Sequence, residues 1–225
     1  CLSLVLNSIS ACVERLPSPS HQTKRALYSV VETFHSLQGE GHHSGRSAFF
    51  IRLAGCDVGC PWCDTKHSWP QHVHPEREAE ELAQEARDAA GNGANFTVIT
   101  GGEPLQHNLA TLTHALAEAN LPRHLETSGV GLLSGDFDWI TLSPKPHQPP
   151  RQAILQECHE LKVVVHNSSD LNFAEGMANH TRHGTMLLLQ PGWDSEQGMQ
   201  LAVDYVKQHQ NWRLSLQTHK WLNIR

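Results

Sequence analysis

The 225-residue chain has no apolar run of membrane-spanning length, no internal repeat and no low-complexity tract. It also lacks an excess of positive charge: 17 Lys and Arg stand against 23 Asp and Glu, a net charge of −6. The first absence points away from a membrane partner. The second excludes a nucleic-acid binder that relies on overall charge, leaving only a local basic patch open. At 39% hydrophobic residues with 16 Gly and 12 Pro, the composition is that of a folded domain able to bury a real core. The unusual counts are 17 His and six Cys, three of the latter within eight residues at Cys56, Cys60 and Cys63. A disulfide framework would spread its half-cystines along a short secreted chain. Clustering instead favours a metal site in a reducing, cytoplasmic compartment. Cys158 reads as a small buried hydrophobe, and Cys1 and Cys12 carry no assigned role.

Residues 1–26 differ in character from the rest of the chain. Their apolar stretch at 2–13 is interrupted by Asn7, Ser8 and Ser10, and no basic segment precedes it, so a secretion signal is a poor match. The chain starts with Cys, and its first Met is Met177. This segment is read as a leader peripheral to the domain at 27–225, with Pro17-Ser18-Pro19-Ser20 as a joint.

From Tyr28 onward, β-branched apolar runs alternate with helical patterns. Strands are expected at 29–34, 48–53, 96–100, 124–127, 139–142, 161–165, 185–189 and 212–216, and helices at 75–90, 108–120, 168–180 and 195–210. Pro75 suits a first helical turn, with Glu76, Glu78, Glu80 and Glu81 matching the positive end of the dipole and Gly91 and Gly93 marking its stop. The alternation predicts an α/β fold with a mostly parallel sheet. Because the chain is short for eight β/α units, the expected form is an incomplete, trimmed barrel, its site in the loops after the strands.

Gly55-Cys56-Asp57-Val58-Gly59-Cys60-Pro61-Trp62-Cys63-Asp64-Thr65-Lys66-His67 comes directly after one expected strand. Three thiolates on so short a loop can hold three irons of a four-iron cluster and leave the fourth open, whereas an electron-transfer ferredoxin would bring a fourth Cys. Cys56, Cys60 and Cys63 with His67 also have the spacing of a Cys3His zinc site, and spacing alone leaves both open. Further on, Thr100-Gly101-Gly102-Glu103-Pro104 lies between a strand and a helix. Two glycines there expose backbone to a ligand at close range, and Glu103 adds an acceptor.

Together the two motifs resemble the radical S-adenosylmethionine (SAM) superfamily, in which the glycine loop contacts SAM and the open iron ligates it. Further segments narrow the resemblance: Leu37-Gln38-Gly39-Glu40-Gly41, Trp62-Cys63-Asp64-Thr65-Lys66-His67, Glu126-Thr127-Ser128-Gly129, Ser143-Pro144-Lys145-Pro146, Leu189-Gln190-Pro191-Gly192 and Gln217-Thr218-His219-Lys220. With these, everything after Tyr28 is similar to the 7-carboxy-7-deazaguanine synthase family. The resemblance implies a lyase that converts 6-carboxy-5,6,7,8-tetrahydropterin to 7-carboxy-7-deazaguanine with loss of ammonia in 7-deazapurine (queuosine) biosynthesis, using a [4Fe-4S] cluster, SAM and Mg²⁺. It further implies a homodimer and an electron donor such as a flavodoxin. By the same resemblance, Cys56, Cys60 and Cys63 hold the cluster and Thr65 the magnesium. Trp62, Cys63, Asp64, Gly102, Ser143, Pro144, Lys145, Gln190 and Pro191 contact SAM, and Leu37, Gln38, Gly39, Arg52, Thr100 and Arg225 contact the pterin. Arg52 carries a planar fork of donors suited to a substrate carboxylate. Of the histidines, only His67 and His219 fall in these motifs; the others, including His42 and His43, are expected in loops or facing solvent. An activating enzyme that installs a glycyl radical on a partner protein shares the cysteine and glycine motifs and is the alternative.

Overall fold

The structure, a computed structural model, describes residues 26–225. The leader expected at 1–26 therefore lies outside the described residues except for Ala26, as do Cys1 and Cys12. In chain order the elements are β1 (Leu27–Leu37), β2 (Ser47–Leu53), β3 (Glu76–Glu78), α1 (Ala79–Gly91), β4 (Thr97–Gly101), α2 (Ala110–Ala117), β5 (Arg123–Thr127), β6 (Trp139–Leu142), α3 (Gln152–Glu157), β7 (Glu160–Val165), α4 (Ser168–Ala178), β8 (Met186–Pro191), α5 (Glu196–Gln208), β9 (Trp212–Leu214) and α6 (Thr218–Leu222). One sheet runs β3-β1-β2-β4-β5-β6-β7-β8-β9. Every pairing from β2 to β9 is parallel, and β1 is antiparallel to both of its neighbours. The sheet ends on β3 and β9 without closing, so the barrel is trimmed, as expected.

Side chains alternate along each strand, and the two faces have different tasks. The outward residues Leu53, Ile99, Leu125, Leu142, Leu161 and Leu189 join Leu82, Leu112 and Leu116 of the covering helices in one core. α1 shows how the helices meet it: Leu82, Ala83, Ala86 and Ala89 recur at helical spacing and are buried. The inward face changes character with depth. Near the strand starts it is aromatic, with Phe96 stacked on His124 at 4.1 Å and His43 and Trp139 beside them. Higher up it is charged or polar, at Glu32 opposite Arg52 and at Glu126, Thr141 and Lys162.

The loop between β1 and β2 runs across the inward face. Its Gly41 N–H donates to Ser215 Oγ (2.9 Å), and its His42 N–H to Glu160 Oε2 (2.7 Å). The segment after β9 returns to the same loop, where Thr218 N–H and Oγ1 both donate to the Gly39 carbonyl at 2.9 Å. These two segments bridge the gap left by the missing strands.

Three local expectations are corrected. The helix expected from Pro75 begins at Ala79, because Glu76, Arg77 and Glu78 pair with Ser29, Tyr28 and Leu27 as β3. A tertiary strand pairing thus overrides the helical start signal, and Glu78 becomes the N-cap, its N–H donating to Glu81. The helix expected at 108–120 shortens to Ala110–Ala117, its entry set by Asn108 Oδ1 accepting from Ala110 N–H (3.1 Å). His124, expected to face solvent at the start of a strand, is only 7% exposed within the aromatic layer.

Candidate active site

The loop after β2 carries the three cysteines. Gly55 at φ +103° and Gly59 at φ +68° make the turns that a side chain would resist. The three thiols are free, and Cys56, Cys60 and Cys63 all border one cavity of about 820 Å³ at the open end of the barrel. Burial pushes the Cys56 and Cys60 thiols up. Metal binding would have to displace those protons.

The glycine loop after β4 is bonded directly to the cysteine loop. Gly102 N–H donates to the Leu53 carbonyl (2.9 Å) and Glu103 N–H to the Gly55 carbonyl (2.7 Å). A Cβ on Gly102 would lie 2.2 Å from Gly55 O and 3.0 Å from Cys56 Cβ, so only glycine permits this contact. The role expected of Glu103 is corrected by its surroundings. Glu103 is 1% exposed and is no free acceptor: it takes Leu105 N–H (3.0 Å), Thr127 Oγ1 (2.5 Å), Ser128 N–H (2.8 Å) and Ser128 Oγ (2.5 Å). It is the anchor that fixes the glycine loop beneath the cysteines.

The family model of the radical SAM superfamily matches residues 50–145. The 7-carboxy-7-deazaguanine synthase of Prochlorococcus marinus is 51% identical over 218 residues, covering 87% of this chain and 97% of its own. That of Synechocystis is 50% identical over 207 residues, covering 92% and 98%. The chain belongs to the 7-carboxy-7-deazaguanine synthase family. The crystal structure of QueE from Escherichia coli superposes on it with a TM-score of 0.77 at 32% identity, covering 86% of this chain and 95% of that one.

Membership in a radical SAM family implies a [4Fe-4S] cluster and SAM, and the local geometry fits both. Three free thiols share one loop and one cavity, with the tight Gly102 contact beside them. A zinc centre fits less well. His67 is exposed, its carbonyl accepts from His74 Nε2 (2.8 Å), and among the described residues no three His, Cys, Asp or Glu converge as on a single ion.

The cavity gathers nearly all the residues expected for the site. Leu37, Gln38, Gly39, Arg52, Thr100 and Arg225 border it, as do Trp62, Asp64, Thr65, Gly102, Ser143, Lys145 and Gln190. Pro144 borders an adjoining pocket with Trp62 and Lys145, and Pro191 is buried in β8. Several side chains are already engaged. Arg52 Nε pairs with Glu32 (3.0 Å), and Arg225 pairs with the other oxygen of the same carboxylate (3.0 Å) while its carbonyl accepts from Ser36 Oγ (2.5 Å). Asp64 pairs with Lys220 (2.7 Å), tying the cysteine loop to α6. Thr65 Oγ1 lies 3.6 Å from Cys63 Sγ. Lys145 Nζ donates to Ser143 O (2.5 Å) and Oγ (2.9 Å), and burial lowers its pKa.

Polar residues of the cavity that had no expected role include Glu40, Glu126, Lys162 and His219. For Lys162 a signal was present: it is the charged residue inside the otherwise apolar run 161–165, which in a parallel sheet marks a polar interior. Glu126 had no such signal, because Arg123, His124 and Thr127 make its own strand mostly polar.

Proposed function

We propose that the chain converts 6-carboxy-5,6,7,8-tetrahydropterin to 7-carboxy-7-deazaguanine with loss of ammonia, in 7-deazapurine (queuosine) biosynthesis. One observation carries this reading: a single cavity has three thiols at one side and, on inward strand positions, the guanidinium of Arg52 and the carboxylate of Glu126. The substrate has the matching groups. Its carboxylate suits the donor fork of Arg52, whose Nε is paired with Glu32 (3.0 Å). Its 2-amino-4-oxopyrimidine edge presents adjacent N–H donors, which suit the acceptor-only carboxylate of Glu126. The cavity volume falls in the range of about 300–1,000 Å³ usual for small-molecule sites.

Cys56, Cys60 and Cys63 would hold the cluster, which when bound supplies the electron that cleaves SAM and starts radical chemistry. Around it, Trp62 offers an exposed ring, 5.2 Å from that of His166, as a wall for SAM. Ser143, Pro144, Lys145, Gln190 and Pro191 sit at strand ends where the rest of SAM would lie. Thr65 offers Mg²⁺ a hydroxyl beside the cysteine loop; magnesium often takes one or two protein oxygens and completes its shell with substrate and water. A one-electron donor such as a flavodoxin and a homodimeric assembly belong to the same proposal. The glycyl-radical activating alternative is not favoured, because the relatives that match across most of the chain carry the synthase name.

Anaerobic reconstitution tests the reading. It should give about four iron and four sulfide per chain, and Cys60→Ala should lose SAM cleavage while retaining the wild-type circular dichroism spectrum. A colourless protein with one bound zinc would contradict it.

A further inference from the structure

The inward face holds a lysine for which the proposed reaction has no use. Lys162, midway along β7, is 5% exposed, and its ammonium donates to Glu40 Oε2 from across the barrel interior. Burial opposes its charge, but the carboxylates of Glu40, Glu126 and Glu160 outweigh that and hold its pKa above the ordinary lysine range. Burial likewise opposes the charge of Glu40, yet Lys162 and the Gln217 amide bring its pKa down to about 2. The pair is thus ionised and shielded from water, the condition in which removing one partner is most costly.

Glu40 is also the start of a chain of bonds that ends at the ligand cavity. Its second oxygen accepts from Gln217 Nε2 (2.8 Å), tying in the segment after β9. Its backbone N–H donates to Gln38 Oε1 (3.0 Å). With that oxygen turned toward Glu40, the Gln38 amide nitrogen faces the other way and donates to Glu126 Oε1 (2.9 Å). Thr100 Oγ1 holds the remaining oxygen of Glu126 (3.0 Å). Each Glu126 oxygen therefore has one protein donor and keeps a lone pair for a ligand.

We infer that Lys162 is a positioning residue for the pyrimidine edge of the substrate, anchoring Glu40 so that the Gln38 amide fixes Glu126 as an acceptor. The inference rests on the pterin reading and adds the origin of its ring selectivity. A carboxylate fixed with open lone pairs accepts the N–H donors of a 2-amino-4-oxo ring and repels the carbonyl of a 2-oxo ring. A carboxylate freed from Gln38 can turn away and loses that distinction.

The test compares 6-carboxypterin with 6-carboxylumazine, its 2-oxo counterpart, as competitive inhibitors of turnover by the reconstituted holoenzyme. Wild type should favour the pterin at least 100-fold. Lys162→Met should reduce that ratio at least tenfold, with iron content and SAM affinity unchanged. The double variant Lys162→Met/Glu40→Gln no longer buries an unpaired charge, and its residue 40 retains the backbone bond to Gln38. Its ratio should return to within threefold of wild type, and it carries the test if the single variant does not fold. A wild-type ratio in Lys162→Met overturns the inference alone. So does a collapsed ratio in a folded double variant, which would mean that Lys162 acts on Glu126 or the ligand directly. Wild-type enzyme that neither turns over the tetrahydropterin nor binds either inhibitor overturns the pterin reading and, with it, the inference.

Discussion

Adding one methyl group at Gly102 should disable the site without unfolding the barrel. The new Cβ would stand 2.2 Å from Gly55 O, 2.7 Å from Gly55 C and 3.0 Å from Cys56 Cβ. Ordinary contacts begin near 3.5 Å, so a relief of about 1 Å is required. The glycine loop cannot provide it, because the Glu103 carboxylate is held by four donors and the Glu103 N–H is bonded to Gly55. The cysteine loop must move instead. A misplacement of about 1 Å in reacting groups costs about 100-fold in rate. Gly102→Ala should therefore lower anaerobic turnover about 100-fold when variants are compared at equal iron content. Gly45→Ala is the control: at φ +84° with nothing within 4 Å, it strains the backbone by about 1–2 kcal/mol and should leave turnover unchanged. Turnover of Gly102→Ala within threefold of wild type would refute the steric argument.

Three other outcomes are expected from the same structure. Burial, with the nearby charges of His43 and Arg46, lowers the His124 pKa to about 3 against an ordinary 6.5. The folded chain is thus the weaker proton binder, and stability is lost as pH falls below about 6.5, amounting at pH 5 to about 2 kcal/mol from this residue. In His124→Phe the drop in Tm between pH 7.5 and pH 5 should shrink by about 4–8 °C, and an unchanged drop would contradict this. Glu103→Gln turns an amide donor toward donors that now have an acceptor, costing about 3 kcal/mol; calorimetry should show a Tm lower by about 6–12 °C, and a shift under 2 °C would tell against the anchor. Arg52→Lys keeps the charge but loses the fork, so the KM for the carboxylated pterin should rise about tenfold, against an unchanged KM if the carboxylate binds elsewhere.

The cysteine and glycine motifs were legible because each requires specific residue types at fixed spacing within a single loop. The parallel sheet was legible because most of its strands are buried on both faces and read as apolar runs. What escaped was what depends on distant pairing. Nothing local tells Glu76, Arg77 and Glu78 that Leu27, Tyr28 and Ser29 will pair with them, so a helical start was expected where β3 forms. The tail of the chain was recognised as a motif, yet its contact between Gln217 and Glu40 spans 177 residues. Glu103 looked like a ligand acceptor because Thr127 and Ser128, which occupy it, lie a strand away.

One reaction is decisive for the proposed activity. Anaerobically reconstituted protein, verified to hold about four iron per chain, is given SAM, Mg²⁺, reductant and 6-carboxy-5,6,7,8-tetrahydropterin, and the products are identified by mass spectrometry. The predicted result is 7-carboxy-7-deazaguanine with one ammonia released per turnover. SAM cleavage without any deazapurine, from protein with an intact cluster, would contradict it.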